Sequence, residues 1–444
     1  MLQFGTDGVR GRAFSELTEV YATALGAAAT NVLSLRDVVI GRDTRESGER
    51  LEQAFATGCA RAGATIHLMG VAPTPAIAAV AAEHGWAGAA ITASHNEYRD
   101  NGIKIFAIGG IKLTVDQEAA IEIELVSQSE VSARADIALV QSTELIHDYV
   151  QHIVDTVPDQ AFIGMHIVLD CANGAMSDVA GEVFGRCGAT VTVINSEPDG
   201  QNINAKCGAT YPDAVSEAVR LHRGDIGLAF DGDGDRVIAV DHAGNIVDGD
   251  HLIALAARDL HESRQLTHNT VVVTEMTNIG FHRAMGEAGI RVVTTPVGDR
   301  SVLAELDAHG YVLGGEQSGH IIYRSRATTG DGLLAGVLLT DMIHRAGKPL
   351  QLLALAAMTS YPQVLVNVKV AQRKADIGSV FADEIRDAEI ELGNTGRVLL
   401  RSSGTESVVR VMVEAQTAER ASDIANRLAE IVEIQGYQAG EYVL

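Results

Sequence analysis

The sequence predicts an α/β protein of four domains, three of them related to one another. The chain has 444 residues, more than a single hydrophobic core usually serves. Hydrophobic residues make up 46% of the sequence but aromatic residues only 4%, a balance that suits helices packed on buried strands. One strand-helix-strand pattern also recurs three times, which indicates an internally repeated fold.

The repeat consists of an apolar strand, a loop, an amphipathic helix, a glycine-led turn and a second apolar strand. Its copies begin at Val38, Ile167 and Val271. This order is typical of parallel βαβ units. The turn after each helix contains a glycine where a helix C-terminus favours positive φ, namely Gly63, Gly188 and Gly289.

Each copy is followed by another apolar strand that ends in a polar, glycine-containing loop. These stretches span residues 87–102, 227–237 and 312–320. Ligands of open α/β sheets bind beyond the carboxyl ends of the strands. We therefore expect the three loops to converge on one cleft.

The chain changes character from about Pro362 onward. Two segments there, VLVNVKV and VRVMVEA, alternate apolar and polar residues, which predicts a smaller α+β domain with a half-exposed antiparallel sheet. It carries a fourth candidate loop at 401–410. We place the four domains, in chain order, at residues 1–153, 154–249, 250–363 and 364–444.

Charge and composition exclude several classes of protein. The formal net charge of −24 opposes binding to nucleic acid or to anionic membranes. No apolar run is long enough to span a bilayer, and the first residues, MLQFGTDGVRGR, lack the apolar stretch of a signal peptide. The four cysteines form no CxxC pair and suit a reduced compartment. We expect a soluble, cytoplasmic protein, as a monomer or a homodimer.

The segment DGDGDR places three carboxylates, Asp231, Asp233 and Asp235, at alternate positions. The intervening glycines allow a tight turn in which all three can face one point. A cluster of hard oxygen ligands of this kind suits Mg²⁺. An EF-hand is excluded, because it requires glycine at its sixth loop position and glutamate at its twelfth, where this chain has Arg236 and His242.

The segment TASHN places Ser94 and His95 at the end of the strand AGAAI. Alone, such a pair is usually an ordinary turn, and the G-x-S-x-G elbow of serine hydrolases is absent from this loop. A metal cluster in an equivalent loop, however, could promote phosphoryl transfer to or from the hydroxyl of Ser94.

Two further loops carry groups of the kind that bind phosphate oxygens, sugar hydroxyls or an amine. RSSGTE offers hydroxyls, a glycine and the cation Arg401, with Arg410 close behind, a donor set for phosphate oxygens. GGEQSGH offers Glu316, Ser318 and His320. The chain contains no Walker A or GxGxxG sequence. Cations adjoin these loops or similar turns despite the acidic background, namely Arg10, Arg12, Lys104, Arg236 and Arg300.

With these motifs in order, the chain resembles the α-D-phosphohexomutase superfamily over its whole length. The motifs are FGTDGVRG, TASHN with DNGIK, FDGDGDR, VGDR, GGEQSGH, TTGDG and GRVLLRSSGTE. The resemblance implies four domains around a central cleft, the first three sharing one topology.

The resemblance also implies roles for individual residues. Ser94 corresponds to a phosphoserine that also binds the metal, beside the Mg²⁺ ligands Asp231, Asp233 and Asp235. Lys104 and His320 correspond to proposed general acids or bases, and Arg10 and Arg236 to cations near the transferring phosphate. Glu316 and Ser318 correspond to the sugar-binding pair. The loop for the non-reacting phosphate corresponds to Arg401, Ser403, Gly404, Thr405 and Arg410.

The resemblance is nearest to the branch that interconverts glucosamine 6-phosphate and glucosamine 1-phosphate through glucosamine 1,6-bisphosphate, for cell-wall precursors. Phosphomannomutase/phosphoglucomutase activity is the alternative mutase of the superfamily. The alternatives of a different functional class are a non-catalytic sugar-phosphate sensor with the same fold and a phosphatase in which water intercepts phospho-Ser94. Glu97 and Ser407 stand where the superfamily usually has proline, which bears on loop stiffness more than on chemistry.

Overall fold

Three mixed sheets and one antiparallel sheet organise the part of the chain that the structure describes. The computed structural model describes residues 2–127, 139–370, 377–402 and 408–438. The described residues form two compact units, one of residues 2–276 and 288–357 and the other of residues 277–287 and 358–438.

The first domain has eight described strands in the order β1-β2-β6-β5-β3-β4-β8, with β7 paired to β6. The strands are β1 (Phe4–Gly5), β2 (Gly8–Arg12), β3 (Asp37–Arg42), β4 (Thr65–Val71), β5 (Ala87–Ile91), β6 (Asp100–Ala107), β7 (Ile111–Lys112) and β8 (Leu139–Gln141). The helices are α1 (Glu19–Leu33), α2 (Gly48–Arg61), α3 (Thr74–His84), α4 (Val115–Ser127) and α5 (Ile146–Val154).

Small residues set the packing of this domain. Helices α1 and α2 cross closely at Gly26, where no side chain would fit. A Cβ on Gly26 would lie 2.3 Å from the carbonyl oxygen of Phe55. Strand β5, of sequence AGAAI, is buried along its whole length between β3 and β6. The serine loop therefore begins from the rigid interior of a sheet.

The second and third domains repeat a smaller version of this sheet, in the orders β10-β9-β11-β12-β13 and β15-β14-β16-β17. The strands are β9 (His166–Asp170), β10 (Thr190–Ile194), β11 (Ile226–Phe230), β12 (Val237–Asp241), β13 (Ile246–Val247), β14 (Thr270–Thr274), β15 (Arg291–Thr295), β16 (Leu313–Gly315) and β17 (Ile321–Tyr323). The helices are α6 (Ala180–Arg186), α7 (Asp213–His222), α8 (Gly249–Glu262), α9 (Ile279–Glu287), α10 (Asp299–His309), α11 (Gly332–Ala346) and α12 (Leu350–Ala357).

All three mixed sheets contain the same four-stranded motif. Counted along the chain, the first strand of the motif pairs in parallel with both the second and the third strands, and the third strand forms an antiparallel hairpin with the fourth. This pairing is seen in β4-β3-β5-β6, in β10-β9-β11-β12 and in β15-β14-β16-β17. Gly63, Gly188 and Gly289 all have positive φ, as the repeat predicts.

The C-terminal sheet is antiparallel in the order β18-β20-β19. Its alternating strands bury one face against helices, in a core that includes Val411 and Leu428. The elements are β18 (Gln363–Lys369), β19 (Arg397–Ser402), β20 (Val408–Glu414), α13 (Ile377–Val380), α14 (Ala382–Leu392) and α15 (Ala418–Gln438). Short 3₁₀ turns occur at Thr143–Leu145, Thr267–Asn269 and Gly393–Thr395.

The predicted α/β class, with three related domains and a smaller α+β domain, is confirmed. Among the described residues, no helix combines the length and the apolar character that crossing a bilayer requires.

Candidate active site

The structure brings together three of the four candidate loops. They are the hairpin connections β5–β6, β11–β12 and β16–β17, which are equivalent positions in the three related domains. Ser94 of the first loop contacts Asp231 of the second, and Asp235 of the second lies 3.6 Å from His320 of the third. The shared topology thus delivers one set of polar groups from each domain to a single place.

Ser94 is buried and held in an unusual conformation. Its φ of 53° lies in the left-handed region, which costs a non-glycine residue on the order of 1–3 kcal/mol. Its backbone N–H donates to Oγ1 of Thr92 at 2.8 Å, and its Oγ donates to Oδ2 of Asp231 at 2.6 Å. The neighbouring Nδ1 of His95 lies 3.4 Å from Oγ. The strained backbone aims the hydroxyl at the acidic loop.

The three carboxylates Asp231, Asp233 and Asp235 form a buried cluster. Each offers a ligand oxygen, and these oxygens all lie within 4.8 Å of one another. The glycines between them are required, since a Cβ on Gly232 would lie 2.6 Å from the carbonyl oxygen of Ser94 and Gly234 has a φ of 74°.

The electrostatics of the cluster fit a cation. Burial, together with repulsion from Asp235 and Asp233, raises the pKa of Asp231 well above its usual value. Oδ1 of Asp233 and Oδ1 of Asp235 have no hydrogen-bond partner among the described residues. Clustered carboxylates with spare oxygens suit a hard divalent ion such as Mg²⁺. Asp231, Asp233 and Asp235 are the residues that would hold it.

Six side chains, alternately acidic and basic, form a closed ring that shares Asp235 with this cluster. Lys104 Nζ lies 2.8 Å from Oδ2 of Asp235 and 2.7 Å from Oδ2 of Asp7. Lys112 Nζ lies 2.7 Å from Oδ1 of Asp7 and also contacts Asp299. The ring closes through His320, which lies 3.6 Å from both Asp299 and Asp235.

The ring favours the charged forms of Lys104 and Asp7 despite their burial. Burial lowers the pKa of Lys104, but the carboxylates of Asp233, Asp235 and Asp7 outweigh it and raise that pKa well above the usual value. Burial raises the pKa of Asp7, but Lys104 and Lys112 outweigh it and hold that pKa well below the usual range. Lys104 and His320, the two predicted proton carriers, are thus joined through charged neighbours.

Of the two arginines predicted near the transferring phosphate, Arg10 reaches the serine loop and Arg236 stands in the acid loop. Arg10 donates to the carbonyl oxygen of Ala93 at 3.4 Å and to Oδ2 of Asp7 at 3.2 Å. Arg236 places its Nε 3.8 Å from Oδ1 of Asp235. Burial, followed by these two guanidinium groups, lowers the pKa of His95 to about 4, so its imidazole is neutral at neutral pH.

The predicted sugar-binding residues occupy the third loop. Oε1 of Glu316 accepts a hydrogen bond from the backbone N–H of Gly298 at 3.1 Å, which ties this loop to the VGDR turn. Ser318 is exposed at the tip of the hairpin between β16 and β17.

Arg401 and Arg410 belong to the C-terminal unit. They lie directly opposite each other on β19 and β20. Like charges in such a cross-strand pair repel, and an anion between them relieves the repulsion. Ser403, Gly404 and Thr405 lie outside the described residues.

Sequence reasoning missed several residues of the site. Asp7 and Asp299 stand inside the motifs FGTDGVRG and VGDR, and Lys112 follows the strand that carries Lys104. Two more, Arg45 and Asn204, hold the serine loop through its backbone. The available signal was position, because Arg45 follows β3 at the same sheet edge as Ser94.

Models of a single protein family match nearly the whole chain. They describe the phosphoglucomutase/phosphomannomutase alpha/beta/alpha domains I, II and III, at residues 1–131, 147–244 and 248–361, and the C-terminal domain at residues 365–431. The class that the fold and the site define is therefore that of the phosphohexomutases. The chain belongs to the phosphoglucomutase/phosphomannomutase family and, within it, groups with the phosphoglucosamine mutases.

The second part of this assignment comes from curated relatives. Phosphoglucosamine mutase of Frankia casuarinae is 48% identical over 445 residues, covering 97% of each chain. That of Rhodococcus opacus is 48% identical over 442 residues, covering 97% of this chain and 98% of the relative. The predicted superfamily and the isomerase class are confirmed.

Solved structures share the fold at lower identity. A phosphoglucomutase/phosphomannomutase family protein from Burkholderia thailandensis is 24% identical, with a TM-score of 0.80 and 97% of each chain covered. The N-acetylphosphoglucosamine mutase of Aspergillus fumigatus, solved with GlcNAc-6P and magnesium, is 20% identical, with a TM-score of 0.69, 98% of this chain and 96% of that one.

Proposed function

We propose that the protein interconverts glucosamine 6-phosphate and glucosamine 1-phosphate through a phosphorylated Ser94. The observation that carries the proposal is the 2.6 Å contact between Oγ of Ser94 and Oδ2 of Asp231, inside a buried acidic cluster. The phosphoglucosamine mutases at 48% identity support the choice of substrate. The product would supply amino-sugar precursors of the cell wall in the cytoplasm.

The reaction consists of two transfers that balance each other. In the first, the bond between phosphorus and Oγ of Ser94 breaks and a bond to the free sugar hydroxyl forms. The hydroxyl proton leaves to a base and Oγ takes up a proton, which gives glucosamine 1,6-bisphosphate. In the second, the other phosphoryl group returns to Ser94 by the reverse chemistry. Lys104 and His320 are the proton carriers in this proposal, because both lie against the acid loop.

The metal would be Mg²⁺, held by Asp231, Asp233, Asp235 and an oxygen of phospho-Ser94. When bound, it would neutralise the carboxylates and the phosphoryl oxygens during transfer. The protein's own cations near Ser94, Arg10 and Arg236, would orient the phosphoryl group.

Recognition of the substrate falls to the remaining loops. Glu316 and Ser318 would bind the sugar hydroxyls and amine, because a carboxylate adds a charge-assisted hydrogen bond to an ammonium group. Arg401 and Arg410, with Ser403, Gly404 and Thr405, would bind the phosphate that is not reacting. We retain domain bounds of 1–153, 154–249, 250–363 and 364–444 as part of this proposal.

The matching family models describe phosphoglucomutases and phosphomannomutases, which makes phosphomannomutase/phosphoglucomutase activity the alternative to glucosamine phosphate conversion. The test is to compare kcat/KM for the 1-phosphates of glucosamine, glucose and mannose under identical Mg²⁺ and bisphosphate. Glucosamine 1-phosphate should be converted best. Equal or better values for either other sugar would move the assignment to the alternative, and release of inorganic phosphate in place of an isomer would indicate a phosphatase.

A further inference from the structure

Two carbonyl oxygens of the serine loop each accept hydrogen bonds from two different domains. The carbonyl oxygen of Ser94 accepts from Nη2 of Arg45 at 2.8 Å and from Nδ2 of Asn204 at 2.9 Å. The carbonyl oxygen of Asn96 accepts from the same two atoms at 2.9 Å and 3.1 Å. Arg45 follows β3 of the first domain, whereas Asn204 follows β10 of the second.

Arg45 is the fixed half of this arrangement. Its side chain is fully buried, and its Nε donates to Oδ2 of Asp43 at 2.8 Å. The same carboxylate accepts from Oγ1 of Thr92 at 2.6 Å, and that hydroxyl accepts from the N–H of Ser94. The first domain therefore holds the peptide groups on both sides of the Ser94 Cα.

Asn204 brings the second domain to the same peptide. Its backbone is in the left-handed region, with a φ of 57°, and its N–H donates to the carbonyl oxygen of Ala172 at 2.9 Å. Only the amide nitrogen of its side chain suits the site, because an oxygen there would face two carbonyl oxygens. A Cβ on Gly232 would lie 2.7 Å from Nδ2 of Asn204, so the contact also packs against the backbone of the acid loop.

We propose that Asn204 is a positioning residue for phosphoryl transfer, which locks the Ser94 peptide in its left-handed conformation from the second domain. The inference rests on the proposed function for its effect on turnover. Oγ of Ser94 must point at the acid loop from a backbone conformation that serine disfavours. Donors from both domains to the same carbonyl keep the serine in register with Asp231, whose loop belongs to the same domain as Asn204.

The experiment compares Asn204→Gly with the matched control Lys206→Gly. Lys206 lies two residues away, has a φ of 56° and an exposed side chain, so both changes place glycine at a left-handed position of one loop. Asn204→Asp is the second variant, because aspartate keeps the size and tolerates left-handed backbone but replaces the donor with an acceptor.

The readouts are steady-state kinetics and amide hydrogen exchange of peptides covering residues 92–102. For both Asn204 variants, kcat should fall about tenfold or more while KM stays within about twofold, because transfer geometry is lost and ground-state sugar binding is not. Exchange in those peptides should accelerate. Lys206→Gly should change neither quantity.

Unchanged exchange in the Asn204 variants would overturn the lock, and faster exchange with normal kcat would overturn the positioning role. A parallel rise of KM in both variants would assign Asn204 to substrate binding and also contradict the proposal. A wild-type protein without activity on glucosamine phosphates would instead overturn the proposed function, with the exchange measurement still deciding whether the lock exists.

Discussion

Nζ of Lys112 lies 2.7 Å from Oδ1 of Asp7, and both groups are largely buried. The same ammonium contacts Asp299, so one lysine neutralises carboxylates from the first and third domains. In the charged ring, Lys112 is the member opposite Asp235. It links the turn that precedes β2 to the start of α10.

Lys112→Met should lower the free energy of unfolding by about 3–5 kcal/mol, because two buried carboxylates lose their common partner. Urea unfolding followed by circular dichroism measures the change. The control is Glu19→Gln, which breaks an exposed pair with Arg50 and should lower the free energy of unfolding far less, because solvent screens such a pair. Equal effects of the two substitutions would show that the ring does not stabilise the fold.

Chelation of divalent ions should abolish turnover, and Mg²⁺ should restore it. Mg²⁺ should also raise the melting temperature of the wild type and have no such effect on a variant in which Asp231, Asp233 and Asp235 are all asparagine, since repulsion among these acids is what a cation relieves. The control is Asp148→Asn, in the exposed cluster Glu83, His84 and Asp148, which should keep the full response to Mg²⁺. Undiminished turnover after rigorous metal removal would contradict the metal assignment.

Arg401→Ala should weaken productive binding of both substrate phosphates. Losing one charge-assisted contact to phosphate costs roughly 1.5–3 kcal/mol, which is more than tenfold in kcat/KM. The effect should be similar in the forward and reverse directions, because the non-reacting phosphate binds the same loop in both. Arg386→Ala, an exposed substitution in the same domain, should leave both directions unchanged. Wild-type kinetics in Arg401→Ala would remove this loop from the site.

Glu52 should make the protein less stable as pH rises. Burial raises the pKa of Glu52 from 4.5 to about 7, although Arg42 opposes the shift. The folded state therefore binds this proton more tightly than the unfolded state. The resulting stabilisation is complete below the unfolded-state pKa and is lost as pH rises through the folded-state value.

Glu52→Gln should consequently stabilise the protein, relative to wild type, by about 2–3 kcal/mol more near pH 8 than near pH 5. Urea unfolding at the two pH values measures this difference. The control is Glu49→Gln, which removes an exposed carboxyl one turn earlier on the same helix, so that the comparison isolates the effect of burial at Glu52. A pH-independent effect of Glu52→Gln would mean that the buried carboxyl stays ionised throughout.

The sequence predicts the parts of the site that are local in the chain. DGDGDR and TASHN each follow an apolar strand, and the repeat places those strands at equivalent positions, so the meeting of Ser94 with Asp231 follows from sequence reasoning. Lys112, Asp299 and Asn204 could not be found in that way. Their partners are distant in sequence, and neither spacing nor composition states which carbonyl oxygen or carboxylate a side chain will reach.

The hairpin formed by β1 and β2 shows the same limit. Its strands are too short for a periodic pattern, and β2 is fixed by its antiparallel pairing with β6 about ninety residues later. That pairing places Arg10 and Asp7 at the site. Only the assembled sheet reveals why FGTDGVRG contains both an acidic residue, Asp7, and a basic residue, Arg10.

The central claim is that Ser94 carries the phosphoryl group and passes it to the sugar. The most direct measurement mixes protein that carries an ¹⁸O-labelled phosphate on Ser94 with one equivalent of unlabelled glucosamine 6-phosphate and Mg²⁺, and follows Ser94 and the sugars by mass spectrometry. The label should move from Ser94 into the bisphosphate and into glucosamine 1-phosphate, without inorganic phosphate, while Ser94 takes up the unlabelled phosphate of the substrate, and Ser94→Ala should produce neither sugar. Conversion by Ser94→Ala at the wild-type rate, or a label that stays on Ser94 while the sugar isomerises, would contradict the account.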